Sequence, residues 1–127
     1  MKKLITSLCA VAIATVAFAA EKFPDISHSE LKEAIKDKKV ALIDVNGTDS
    51  YKAGHIPGAI DFEADEAKLA AELPKDKSAL VVAYCGNESC GAYQRGAKKA
   101  KELGYTNVKH YSKGIAGWKK AGEETAK

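Results

Sequence analysis

Two short runs of successive apolar residues limit what this chain can fold into more than any other feature. Val40-Ala41-Leu42-Ile43 leads into Asp44-Val45, and Ala79-Leu80-Val81-Val82-Ala83 leads into Tyr84. A strand with one wet face alternates apolar and polar side chains, because successive Cβ atoms point to opposite sides. A run apolar at every position has both faces covered, and helices are the usual cover. Residues 40–45 and 79–84 therefore read as interior strands of a parallel sheet.

The segments between them supply the helices. Ser27-His28-Ser29-Glu30 has the form of a capping box, in which hydroxyl and carboxylate satisfy free amides at a helix start. Leu31, Ala34 and Ile35 follow at helical spacing, which predicts a helix over 29–37. Asn46-Gly47-Thr48-Asp49 is turn chemistry before a helical turn at 49–53. Gly54-His55-Ile56-Pro57-Gly58-Ala59-Ile60 predicts a tight turn feeding a short strand. Pro74 ends a helix over 65–73, and Gly104 closes a second over 92–103. Residues 107–111 read as a third strand, 112–117 as a glycine-containing loop before Trp118, and the polar tail from Gly122 as loose. Strands alternating with helices imply parallel pairing with right-handed crossovers, so the fold class is α/β.

The 127 residues leave room for one domain, expected at 20–127. Met1-Lys2-Lys3 is a basic start, residues 4–18 form an uncharged apolar stretch, and Ala17-Phe18-Ala19 supplies a small-x-small cleavage pattern. Residues 1–19 thus read as a cleavable signal peptide, and the mature domain as periplasmic or secreted. Loss of Lys2 and Lys3 from the 20 basic residues leaves 18 against 17 acidic ones. Near neutrality with no basic block gives no electrostatic case for nucleic acid, or for a membrane surface after cleavage. Cleavage also removes Cys9 and leaves Cys85 and Cys90, a close pair in an oxidising compartment.

Cys85 stands at the carboxyl end of the second apolar run, where open α/β sheets place their sites. Gly86-Asn87-Glu88-Ser89-Cys90-Gly91 has loop composition and precedes a helix. Loop amides and a helix amino end both favour thiolate over thiol, lowering a pKa of about 8.5. Those amides would also hold a persulfide or the oxyanion of a donor, so Cys85 is the candidate nucleophile and residues 86–91 the candidate binding loop. The alternative is a small buried hydrophobe, the usual fate of a lone cysteine. His55 and Asp44 are expected to hold backbone in place, and Tyr84 and Trp118 to serve as core. Scattered His28, His55 and His110 beside one cysteine pair do not compose a zinc site.

Five blocks carry a resemblance: Leu42-Ile43-Asp44-Val45, Gly54-His55-Ile56-Pro57-Gly58-Ala59-Ile60, Val81-Val82-Ala83-Tyr84-Cys85, Leu103-Gly104-Tyr105-Thr106-Asn107-Val108 and Gly114-Ile115-Ala116-Gly117-Trp118. In this order they resemble the rhodanese (thiosulfate sulfurtransferase) family. The resemblance implies a three-layer sandwich around a five-stranded parallel sheet. It implies a Cys85 persulfide charged by thiosulfate or polysulfide and discharged to cyanide, a thiol or a protein acceptor. It also implies that no metal or organic cofactor is needed.

Three positions depart from the family pattern. Cys90 stands where many single-domain members carry an arginine, Asn46 replaces another arginine, and Glu88 adds negative charge to the loop. These disfavour thiosulfate more than other sulfane donors. Cys90 has three readings: a disulfide partner of Cys85, a resolving thiol that attacks the persulfide, or packing at the helix start. Two further functions stay open, a thiol-disulfide redox protein using the pair and a non-catalytic sulfur carrier. A cysteine phosphatase would need an arginine where Gly91 stands.

Overall fold

A computed structural model describes residues 22–127; the leader expected at 1–19 lies outside them. Helix α1 (His28–Lys36) begins at Ser27, whose hydroxyl accepts from the Glu30 amide at 3.2 Å. Strand β1 (Val40–Asp44) follows, then α2 (Thr48–Ala53) and the two-residue β2 (Ile60–Asp61). The stretch expected as one helix over 65–73 is three pieces: α3 (Phe62–Asp65), a 3₁₀ turn (Glu66–Lys68) and α4 (Leu69–Glu72). It starts early because the Asp61 carboxylate caps the Glu63 and Ala64 amides. Strand β3 (Leu80–Tyr84), α5 (Tyr93–Glu102), β4 (Asn107–His110) and α6 (Gly114–Lys120) complete the order.

The sheet is parallel throughout, in the order β2-β1-β3-β4 among the described residues. Five strands were expected; the described residues form four, with a single parallel bridge beside β4. Asp25 pairs beside His110: the His110 amide donates to the Pro24 carbonyl at 2.8 Å, and the Ile26 amide donates to the His110 carbonyl at 2.9 Å. Pro24 has no amide to extend that ladder.

The continuous apolar runs are explained by two cores. Ile43, Val45, Val81 and Ala83 face α3, α4 and α5, among Phe62, Leu69, Leu73, Ala97 and Ala100. Leu42, Val82 and Tyr84 face the other way, among Leu31, Ile56, Tyr111 and Trp118. Helix α5 lies close on β1 because residue 96 is glycine: a Cβ there would sit 2.9 Å from methyl groups of Ile43 and Val45.

Two expectations fail at the carboxyl end. Residues 114–120 are helical, not loop, and the tail from Gly122 is tied down. Ala126 and His55 exchange backbone bonds of 2.9 and 3.0 Å, and the Trp118 indole donates to the Glu124 carbonyl at 2.7 Å. Glu123 is also held by Lys32, at 2.8 Å, and by His28.

Candidate active site

Cys85 follows β3 directly, so its position is set by the best-buried strand of the sheet. Its main chain is clamped from α6. The Ile115 amide donates to the Cys85 carbonyl at 3.0 Å, and the Ala116 amide to the Gly86 carbonyl at 2.9 Å. Gly114 makes that approach possible. Its φ of 61° is left-handed, and a Cβ would lie 2.5 Å from the Cys85 carbonyl oxygen.

The sulfur itself is not free. Cys85 and Cys90 form a disulfide with Cα atoms 6.3 Å apart. Cys85 is 1% exposed, while Cys90 is half-buried. Of the three readings left open for Cys90, the disulfide is the one present. The expected ring of loop amides around the sulfur is corrected for this oxidised form. The Ser89 amide donates to the Asn87 side-chain oxygen at 2.9 Å, and the Cys90 amide to the Asn87 carbonyl at 3.1 Å. Asn87 organises the loop in the place where an anion was expected to do so.

Gly86, Asn87, Glu88, Ser89, Cys90 and Gly91 do form one loop between β3 and α5. Asn87, Glu88 and Ser89 are exposed and form one wall of a groove of about 620 Å³. Its other wall is α6, with Lys113, Gly117 and Lys120. The two lysines were missed because Gly114 and Gly117 read as loop residues; their seven-residue spacing, two helical turns, was the available signal. Arg95 does not line this groove. It lies near the Phe62 ring and lines a separate cleft of about 230 Å³ with Asn46, Gly47 and Glu63.

Behind the site is a buried polar chain. The Tyr84 phenol donates to one Asp44 oxygen at 2.7 Å and accepts from the Ile56 amide at 3.0 Å. The other Asp44 oxygen accepts from the Asn46 amide at 2.8 Å. Burial raises the Asp44 carboxyl above its ordinary range, against the lowering effect of these hydrogen bonds. Burial and the neighbouring carboxylate push the Tyr84 phenol upward, so it stays a donor. His55 serves its turn as expected, its Nδ1–H donating to the Tyr51 carbonyl at 2.7 Å while its ring stacks on Tyr51. These contacts join the ends of β1 and β3 to the turn at 54–60.

The comparisons with known proteins agree with this architecture. A thiosulfate sulfurtransferase GlpE of Pseudoalteromonas translucida is 31% identical over 103 residues, covering 80% of this chain and 94% of that protein. An HTH-type transcriptional regulator of Mycobacterium tuberculosis is 34% identical over 116 residues, and this chain spans only half (50%) of its length. Among solved structures, the human single-domain sulfurtransferase TSTD1 superposes with a TM-score of 0.61 at 22% identity, over 78% of this chain and 97% of that one. The model of the Rhodanese-like domain matches residues 27–121, so the chain belongs to the rhodanese-like domain family.

Proposed function

We propose that this protein is a sulfurtransferase that carries sulfane sulfur as a persulfide on Cys85. The observation that carries this is the place of Cys85, the first residue after the central strand of a rhodanese fold. The thiolate attacks the outer sulfur of thiosulfate, forming an S–S bond as sulfite leaves with the electron pair of the broken bond. Cyanide, a thiol or a protein acceptor then takes the outer sulfur and returns Cys85 to thiolate. The Cys85–Cys90 disulfide withholds the nucleophile, so reduction must come first. Export after cleavage at Ala19, to the periplasm or beyond, would expose the pair to oxidation. Amino-terminal sequencing of the mature protein tests that cleavage.

The disulfide favours a second role for Cys90. As a resolving thiolate it attacks the Cys85 sulfur of the persulfide, closes the disulfide and expels the outer sulfur as hydrosulfide. One experiment separates these outcomes. Reduced protein is given thiosulfate or polysulfide, and intact mass is followed for one added sulfur in wild type, Cys85→Ser and Cys90→Ser. Sulfur transfer predicts uptake in Cys90→Ser and none in Cys85→Ser. Hydrosulfide release with a re-formed disulfide in wild type assigns the resolving role. Uptake without cyanide turnover leaves a carrier, and no uptake in any form overturns the proposal.

A further inference from the structure

The site holds an oxidant as well as a nucleophile. The Cys85–Cys90 disulfide can accept two electrons, and its two sulfurs are not equally placed to be attacked. Cys85 is 1% exposed, with α6 bonded to its carbonyl, whereas Cys90 is half-buried. The chain on either side of Cys90 is open. Ser89 and Gly91 are exposed, and a Cβ on Gly91 would meet nothing within 4 Å. A nucleophile from solvent therefore meets the Cys90 sulfur first, and Cys85 is the leaving group.

We propose that the oxidised protein takes hydrosulfide as a substrate: the disulfide oxidises it, and its sulfur enters at Cys90 and passes to Cys85. This rests on the reading of Cys85 as the sulfur carrier and adds a way to charge it that needs no sulfane donor. The chemistry of the pair selects the substrate. A thiol with a carbon substituent leaves a mixed disulfide on Cys90, which a second thiol must remove. Hydrosulfide leaves a persulfide there, and its outer sulfur can be handed on. The receiving thiolate is already in place, because Cys85 was bonded to the sulfur just attacked. Position 90 supplies no cation for an oxyanion donor, but as cysteine it supplies half of the electron acceptor.

Both steps balance. Hydrosulfide attacks the Cys90 sulfur and forms a new S–S bond. The Cys85–Cys90 bond breaks, and its electron pair leaves on Cys85 as thiolate. That thiolate then attacks the outer sulfur of the Cys90 persulfide, and Cys90 leaves as thiolate with the pair of the second broken bond. The proton stays on the transferred sulfur throughout. The sulfide sulfur has lost two electrons, and the disulfide has gained them. Attack on the inner sulfur only reverses the first step. The resolving reaction releases hydrosulfide from a charged protein, whereas excess sulfide acting on the closed pair drives sulfur the other way.

The test gives excess sodium sulfide, free of oxygen, to protein with its disulfide intact and to the same protein reduced beforehand. Samples are alkylated, and intact mass and peptide mapping locate the added sulfur. The oxidised protein gains one sulfur per disulfide, with the persulfide on Cys85 and a plain thiol at Cys90. The reduced protein, which has no electron acceptor, gains about tenfold less. Entry is read with 2-mercaptoethanol, whose carbon substituent stays on the sulfur it attacks: the first mixed disulfide maps to Cys90. No sulfur gained by the oxidised protein, equal gain by the reduced protein, or a first mixed disulfide on Cys85 overturns the inference. Charging of the reduced protein by thiosulfate or polysulfide is a separate arm, so failure of the proposed function is told apart from failure here.

Discussion

Replacing Tyr84 with phenylalanine isolates the polar chain behind the site from the packing around it. The ring remains, so no large cavity opens and the cost is almost wholly polar. One oxygen is removed from between two fully buried partners. Asp44 loses its 2.7 Å donor and the Ile56 amide loses its acceptor. A hydrogen bond to a charged group is worth about 1.5–3 kcal/mol, and an orphaned buried amide costs about 1–3 kcal/mol. The two losses share one atom and Asp44 keeps its Asn46 amide, so the expected total is about 3–5 kcal/mol. That is a large fraction of the roughly 5–15 kcal/mol that holds a domain together.

Urea unfolding of the reduced proteins measures this directly, provided the slope against denaturant is unchanged. Heating should show the same loss as a fall of about 12–20 °C in the midpoint. Asp44→Asn completes a double-mutant cycle, in which the coupling to Tyr84→Phe should exceed about 1 kcal/mol. A Tyr84→Phe loss below about 1 kcal/mol, or a coupling near zero, would refute the inference that this phenol satisfies both groups.

Three further perturbations test other parts of the fold. Gly96→Ala should destabilise by about 1–3 kcal/mol despite its better helix propensity, because the new methyl meets Ile43 and Val45 at 2.9 Å; a stabilised variant in urea melts would contradict that close approach. Deleting residues 123–127 should cost about 2 kcal/mol in the same assay, since it removes the backbone pair with His55 and the acceptor of the Trp118 indole. Burial holds the His110 imidazole below its ordinary pKa of 6.5, stacked on Tyr93 with Nε2 unpartnered. Its stability contribution is complete above that pH and is lost as pH falls, because the unfolded chain then takes up a proton that the fold resists; the unfolding free energy from urea melts should fall below pH 6.5 by at most about 1.4 kcal/mol per pH unit, and less in His110→Phe.

The sheet was legible because its signal lies in side chains. Apolar residues at every position of 40–43 and 79–83 serve two cores, as the split of Ile43 and Leu42 to opposite faces shows. What was missed depends on contacts that composition does not carry. The tail reads as loose because its side chains are polar, but it is held chiefly by main-chain atoms of Ala126 and Glu124. Gly114 and Gly117 read as loop, although both are glycine because another group comes close: the Cys85 carbonyl in one case, the Lys113 stem in the other. The 3₁₀ turn at Glu66–Lys68 has no buried side chain, so no periodicity could fix its register.

The position of Cys85 was legible for the same reason as the strand that ends in it, but its chemical state was not. A separation of 6.3 Å between Cα atoms permits a disulfide, and electron supply rather than sequence decides whether it forms. The two states place opposite demands on one short loop. Closed, the loop joins Cys90 to Cys85 and its Ser89 and Cys90 amides serve Asn87. To hold a persulfide anion it must point amides at the sulfur instead, and an amide has one proton to donate. With cysteine rather than arginine at position 90 and Glu88 beside it, the loop itself brings no cation to that anion. Positive charge stands across the groove instead, on Lys113 at the start of α6 and Lys120 at its end, in a helix whose amides bond the carbonyls of Cys85 and Gly86. On the proposed function the sulfur comes from the end of β3 and the charge from α6, and the Ile115 and Ala116 amides bonded to the Cys85 and Gly86 carbonyls tie those two elements together.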